Sequence, residues 1–221
     1  QIDGVSMKGY NRSGSGYVVL PDGSKKQSGT KDVLPEITLD TTFDFQTDID
    51  NALLIRQWKF NMADRVPDDF YRPEYDYSNH GWLDYTMGGW ELQLPYERDE
   101  KTYPVDIVYK ASFQTEYIPS DIKILIDGFK CSSYTMWING TEIKEKGTRS
   151  FLDSEIRQIL IADYLLIGSN DISIRMTVEK PLHGLLDFIK ITGGFSVFDD
   201  IITAPVKRME PGSWTLQGYP Y

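Results

Sequence analysis

The chain has 221 residues, with 23 Lys and Arg against 33 Asp and Glu, a formal net charge of −10. Hydrophobic residues make up 40% and charged residues 25%, a globular balance that excludes wholesale disorder. No apolar run approaches the ~20 residues of a membrane-spanning helix, and the acidic balance argues against a nucleic-acid or anionic-membrane binder, since both need clustered Lys and Arg.

The charge is local. Residues 31–50 carry −5 and residues 61–100 carry −7, so the remainder is near neutral. The one cysteine, Cys131, cannot form an internal disulfide and reads as a small apolar residue. With only His80 and His183 as histidines, neither a zinc-ligand spacing nor a Cys–His nucleophile pattern arises.

Residues 1–30 are rich in Gly, Ser and Lys, with one apolar island at Tyr17-Val18-Val19-Leu20 that reads as a strand ended by Pro21-Asp22-Gly23. Residues 31–50 read as an extended connecting segment, with Pro35 holding Leu34 out of the helical region. Residues 51–60 read as one strand, with Leu54, Arg56, Trp58 and Phe60 on one face and Leu53, Ile55, Gln57 and Lys59 on the other. Residues 61–100 read as a long irregular region punctuated by Pro67, Pro73, Gly81, Gly88, Gly89 and Pro95; a loop of this length is usually functional or packed on a partner.

Strand patterns are dense from residue 104 onward. Val105 to Tyr117 is the longest, followed by Asp121 to Asp127 and Ser133 to Ile138. Asn139-Gly140 then predicts a type I′ hairpin turn into Thr141-Glu142-Ile143. Ile156, Ile159, Leu160 and Tyr164 have helical spacing and predict a short helix or helical turn before Gly168. Asn170 to Val178 alternates as a strand, and strand patterns at Gly184 to Ile191 and Gly194 to Phe198 complete the set. Short strands with regular turn residues between them predict an all-β antiparallel sandwich.

Four runs carry a family resemblance. They are Asp106-Ile107-Val108-Tyr109-Lys110-Ala111-Ser112-Phe113, Ile124-Leu125-Ile126-Asp127-Gly128-Phe129, Met136-Trp137-Ile138-Asn139-Gly140-Thr141-Glu142-Ile143, and Ile167-Gly168-Ser169-Asn170-Asp171-Ile172-Ser173-Ile174-Arg175. Together they resemble the galactose-binding-like jelly-roll module that stands beside the catalytic domain in bacterial glycoside hydrolases of the family 2 and rhamnosidase-like type. Gly89-Trp90 and Leu94-Pro95 resemble the opening of such modules.

The resemblance implies a jelly-roll β-sandwich over residues 49–205, with residues 1–48 as the tail or linker of a preceding domain. Residues 212–221 resemble the opening strand of a second module, so 206–221 is expected to begin a following one. A larger, exported parent is then expected, periplasmic or secreted, with its leader outside this chain and its neighbouring domains as partners. No stretch resembles a catalytic barrel, so no catalytic residue is carried over. A glycosidase needs two carboxyls facing across a cleft, and the adjacent pairs Asp68/Asp69 and Asp199/Asp200 point to opposite faces on a strand. No cofactor is expected. A structural calcium stays open, because Asp and Asn are plentiful although no spaced ligand loop occurs.

The densest candidate site is the aromatic segment. Residues 70–90 hold Phe70, Tyr71, Tyr75, Tyr77, Trp82, Tyr85 and Trp90, interleaved with acids and amides. Flat rings stack on sugar faces, while carboxylates and amides accept hydroxyl hydrogen bonds. Tyr75, Tyr77, His80, Trp82, Asp84, Tyr85 and Trp90 are therefore candidate carbohydrate contacts, for an oligo- or polysaccharide. The competing reading packs these rings on the sandwich or on a neighbouring domain. Three functions stand side by side: a non-catalytic accessory module, an autonomous carbohydrate-binding module, and a glycosidase in its own right.

Overall fold

The computed structural model describes residues 50–79, 81–85, 87–94, 103–150 and 153–219, together with the short strands at Ser6–Met7, Tyr17–Val19, Lys25–Gln27 and Phe43–Asp44. The chain divides into two compact units, Gln1–Thr41 and Thr42–Tyr221. The first contains strands β1 (Ser6–Met7), β2 (Tyr17–Val19) and β3 (Lys25–Gln27), joined as an antiparallel three-stranded sheet. The apolar island of the sequence is β2.

The second unit opens with β4 (Phe43–Asp44), β5 (Asn51–Ile55), β6 (Trp58–Met62) and β7 (Leu83–Tyr85). It continues through β8 (Val105–Thr115), β9 (Lys123–Ile126), β10 (Phe129–Lys130), β11 (Ser133–Ile138) and β12 (Thr141–Glu142). Then come β13 (Thr148–Arg149), β14 (Arg157–Leu160), β15 (Gly168–Val178) and β16 (Gly184–Leu185). The last are β17 (Ile189–Gly193), β18 (Ser196–Phe198), β19 (Ile201–Thr203) and β20 (Arg208–Met209). Among the described residues every helical segment is a short 3-10 turn.

Two sheets make an all-β sandwich. The larger runs β12-β11-β15-β8-β19-β18, with β6 also paired to β8 and β7 to β6; the smaller runs β13-β14-β9-β17-β5. Pairing is antiparallel except between β19 and β8. Alternation along β8 and β15 sends Ile107, Tyr109, Phe113, Ile172, Ile174 and Met176 inward, where they meet Leu53, Ile55, Ile124, Ile159, Ile189 and Ile191 of the smaller sheet in one continuous core.

The single strand expected over residues 51–60 is two strands in two sheets. β5 pairs with β17 and β6 with β8. The chain crosses between the sheets at Arg56-Gln57, and the Trp58 indole N–H donates to the Ile55 carbonyl at 2.8 Å across the crossing. Inner faces of stacked sheets point at each other, so the inward phase must shift at the crossing. Leu53 and Ile55 are buried before it, Trp58 and Phe60 after it. The expected pairing of Leu54 and Arg56 with Trp58 and Phe60 on one face is therefore corrected.

The helical spacing over residues 156–164 resolves into β14 and one 3-10 turn, Ala162–Tyr164. Arg208–Met209 and Gly218 are paired with earlier parts of this unit. β20 pairs with β4, and the Gly218 carbonyl accepts from Val197 N–H at 2.9 Å and from Asn51 Nδ2 at 2.8 Å.

The hairpin turn is as expected: Asn139 and Gly140 both have positive φ, 49° and 76°. Its asparagine also joins a buried amide network. Asn139 Nδ2 donates to Asn170 Oδ1 at 2.8 Å and to the Tyr164 carbonyl at 2.9 Å, while its Oδ1 accepts from Asp171 N–H. Fully buried Asn170 in turn donates to Thr115 Oγ1 and to the Leu166 and Gly168 carbonyls, and accepts from Leu166 N–H. This network ties β8, β11 and β15 at one end of the sandwich. Replacing Asn170 with Ala leaves several of these groups unpaired and is expected to cost about 2–4 kcal/mol. Gly140→Ala is expected to cost about 1–2 kcal/mol through its left-handed backbone. Urea unfolding of both variants measures each loss, and an unchanged midpoint for Asn170→Ala would remove the network from the fold's stability.

Candidate functional site

The aromatic segment folds as a cap on the outer face of the larger sheet. That face presents Val108 of β8, Trp137 of β11 and Arg175 of β15, on the side away from the core. Local turns shape the cap: Phe70 N–H bonds the Pro67 carbonyl, Arg72 N–H that of Asp69, and Tyr75 N–H that of Arg72, at 3.0–3.1 Å. Phe70 is buried with Ala63 and Val108 in a second small core, ringed by half-buried Val66, Tyr71, Tyr75, Trp82 and Trp137. Tyr71 stacks on Trp137 with centroids 4.7 Å apart, and Phe70 meets the same indole edge-on at 5.8 Å. The hairpin turn supports the cap, since a Cβ on Gly140 would stand 3.0 Å from Pro73 Cδ.

The seven sequence candidates separate in space. Trp90 is a core residue and offers no face to a ligand, which corrects its placement as a contact; Tyr85 is buried in the core at 4% exposed, with only a small part of it on a cleft wall. Trp90 is 0% exposed, and its indole N–H donates to the Lys180 carbonyl at 3.1 Å. Tyr85 packs on Phe60 and Tyr109, and its one hydroxyl proton is shared between the main-chain carbonyls of Gly88 and Leu185; burial pushes its phenol up to about 12. Tyr75, Tyr77 and Trp82 are half-buried, and Trp82 meets both tyrosine rings, with centroids 6.4 Å and 6.2 Å apart. Asp84 is exposed and paired with Lys59 at 2.5 Å. His80 lies outside the described residues.

Beside the cap is a cleft of about 350 Å³. Tyr77, Asp84 and Tyr85 line it from one side, and Arg56, Lys59, Lys110 and Ser112 from the other. The second group lies outside the aromatic run of the sequence, at the Arg56-Gln57 crossing and on β6 and β8. Period-2 alternation along β8 puts Asp106, Lys110, Ser112 and Gln114 on the outer face, and that pattern was available in the sequence.

Lys110 is the unusual member. Its side chain is only 1% exposed, with Asp171 Oδ2 3.8 Å away, the Arg72 carbonyl at 3.4 Å and the Tyr77 ring centroid at 5.8 Å. Burial lowers the pKa of its ammonium, while the nearby Asp171 and Glu74 carboxylates act in the opposite direction. Among the described residues no group of three or more His, Cys, Asp or Glu is close enough to hold a metal ion.

No protein-family model matches the chain, and no curated protein matches it. Solved structures do. The exo-chitosanase CsxA of Amycolatopsis orientalis is 16% identical, with a TM-score of 0.50 over 64% of this chain and 20% of that one. A β-glucuronidase from glycoside hydrolase family 2 gives 10% identity and a TM-score of 0.47, over 67% of this chain and 18% of that one. A β-glucuronidase from Ruminococcus gnavus gives 14% and 0.48, over 68% and 30%. At these identities the likeness is one of fold. The sandwich has a fold that also occurs within a glycoside hydrolase, and it spans about a fifth of the exo-chitosanase.

Two outcomes follow for the cap. Phe70→Ala empties the centre of the small core and is expected to cost about 3–5 kcal/mol in urea unfolding. Lys110 has a folded pKa below its ordinary 10.5, so the folded state binds fewer protons than the unfolded chain between those two values. Stability from this group is therefore complete above 10.5 and is lost as pH falls through the folded value. Lys110→Met is expected to raise the melting temperature at neutral pH, with the gain shrinking as pH approaches 10.5. A gain that grows with pH would reverse the assigned sign.

Proposed function

We propose that this chain is a non-catalytic accessory β-sandwich of a larger, exported bacterial glycoside hydrolase, where it buttresses the catalytic domain. The observation that carries this reading is the shared fold, which takes up 20% of the exo-chitosanase chain as one part of a bigger enzyme. The cap supports it too. Phe70, Tyr71, Trp82 and Trp137 are spent on covering the sheet, and this favours a structural part over an open ring platform.

A second reading, direct contact with carbohydrate, is favoured by the cleft that joins Tyr77 and Asp84 to the outer sheet face. Placement in the periplasm or outside the cell belongs to the first reading and rests on the sequence resemblance. Among the described residues no helix is long and apolar enough to cross a membrane.

The purified chain, incubated with a panel of nitrophenyl glycosides, is expected to release no nitrophenol above a heat-treated control. Steady release that follows protein concentration would make the chain an enzyme and end the accessory reading.

A further inference from the structure

The second long edge of β8 is incompletely covered. β6 pairs with residues 107–110, and β19 pairs in parallel with residues 114–115. Between them, among the described residues, no strand pairs with Ala111, Ser112 and Phe113 on that edge. The interruption follows from the crossing at Arg56-Gln57, which lifts the chain out of the larger sheet where it would otherwise have continued beside β8.

The interruption is a groove. The cleft of about 350 Å³ next to Tyr77 and a second cavity of about 240 Å³ next to Asp199 and Asp200 share Arg56, Gln57 and Ser112 in their walls. Together they run from the aromatic cap to the β18–β19 turn. Gln57, Ser112 and Gln114 are exposed along this path and offer both donors and acceptors. The charges at each end are paired: Lys59 with Asp84 beside the cap, and Arg56 with Asp200 at 4.0 Å beside the turn. Tyr77 adds a half-exposed ring, held by the Lys110 ammonium and the Trp82 edge.

The turn has a further peculiarity. Asp199 and Asp200 both have positive φ, 48° and 61°; Asp is common at the first such turn position, while Gly is usual at the second. Both carboxylates stand on the groove wall.

We infer that this groove is a binding site for a neutral oligosaccharide. Sugar hydroxyls both donate and accept, which matches amide and hydroxyl side chains in a row. Carboxylates accept from vicinal hydroxyls, and a pyranose face packs on a tyrosine ring. Cations already paired with carboxylates leave no large net charge for an ionic ligand. The inference deepens the carbohydrate reading and rests on it: it extends the cleft beside Tyr77 along the interrupted edge of β8 as far as Asp199 and Asp200.

The test is a backbone and side-chain amide NMR titration of the whole chain with millimolar cellotetraose, mannotetraose and, as the charged comparison, tetragalacturonate. At least one neutral tetramer is expected to shift Gln57, Ser112 and Gln114 together. Ser112→Trp fills the groove from an exposed strand position, so it is expected to keep the melting temperature and weaken binding about tenfold or more. Shifts confined to Tyr71, Tyr75 and Trp82 would overturn the groove and leave carbohydrate contact standing at the cap. Binding of tetragalacturonate alone would overturn the neutral class. No shift with any of the three would overturn both the groove and the carbohydrate reading, and would leave the accessory role untouched.

Discussion

The crossing at Arg56-Gln57 is the constraint on which the rest of this sandwich depends. Two facing sheets need inward side chains of opposite sense, so a chain that passes from one to the other must change phase. Here it does so in two exposed residues, between buried Ile55 and buried Trp58, with the Trp58 indole tied to the Ile55 carbonyl. The crossing gives β5 to the smaller sheet and β6 to the larger. It also determines where β6 stops covering β8. The core and the open edge therefore have one cause.

The cap answers a different need. The outer face of the larger sheet carries Val108 and Trp137, apolar surface that an antiparallel sheet can leave to water only in part. Ala63, Val66, Tyr71, Tyr75 and Trp82 cover it around a central Phe70, with Tyr71 stacked on Trp137. Lys110 is buried by the same covering, at an energetic cost that Asp171 and the Arg72 carbonyl only partly offset. An apolar side chain would fit that position better for stability alone. The ammonium also holds the Tyr77 ring from below, at the edge of the cleft.

Much of this was legible in residues. The Asn139-Gly140 turn needs two positive φ values, a demand few dipeptides meet, so its position was readable directly. Long alternating runs gave β8, β11 and β15 almost to the residue. What failed was phase and depth. Residues 51–60 alternate acceptably as one strand, because a crossing at two polar residues leaves no Gly or Pro mark. Ile156, Ile159, Leu160 and Tyr164 fit a helical stripe, but four residues of β14 pair with β9 instead, and tertiary pairing outweighs so short a pattern. The seven candidate aromatics and polar residues could be listed from composition, yet composition does not say which rings face inward. Trp90 and Tyr85 went to the core, while Lys110 and Ser112, in a strand that looked merely structural, came to the cleft.

Asn51 has a consequence for how the chain reaches its native state. Its amide donates to the carbonyls of Phe195 and Gly218, partners 144 and 167 residues away. β5 itself pairs with β17, on the far side of most of the molecule in sequence. The first strand of the sandwich thus waits for almost the last segments before it has a neighbour. Such distant closures fold slowly, because the entropy of a long loop is lost before the contact returns anything. During synthesis β5 and its apolar inner face stand unpaired while some 140 further residues emerge, so the interval before closure is when this chain is most exposed to pairing with the wrong edge.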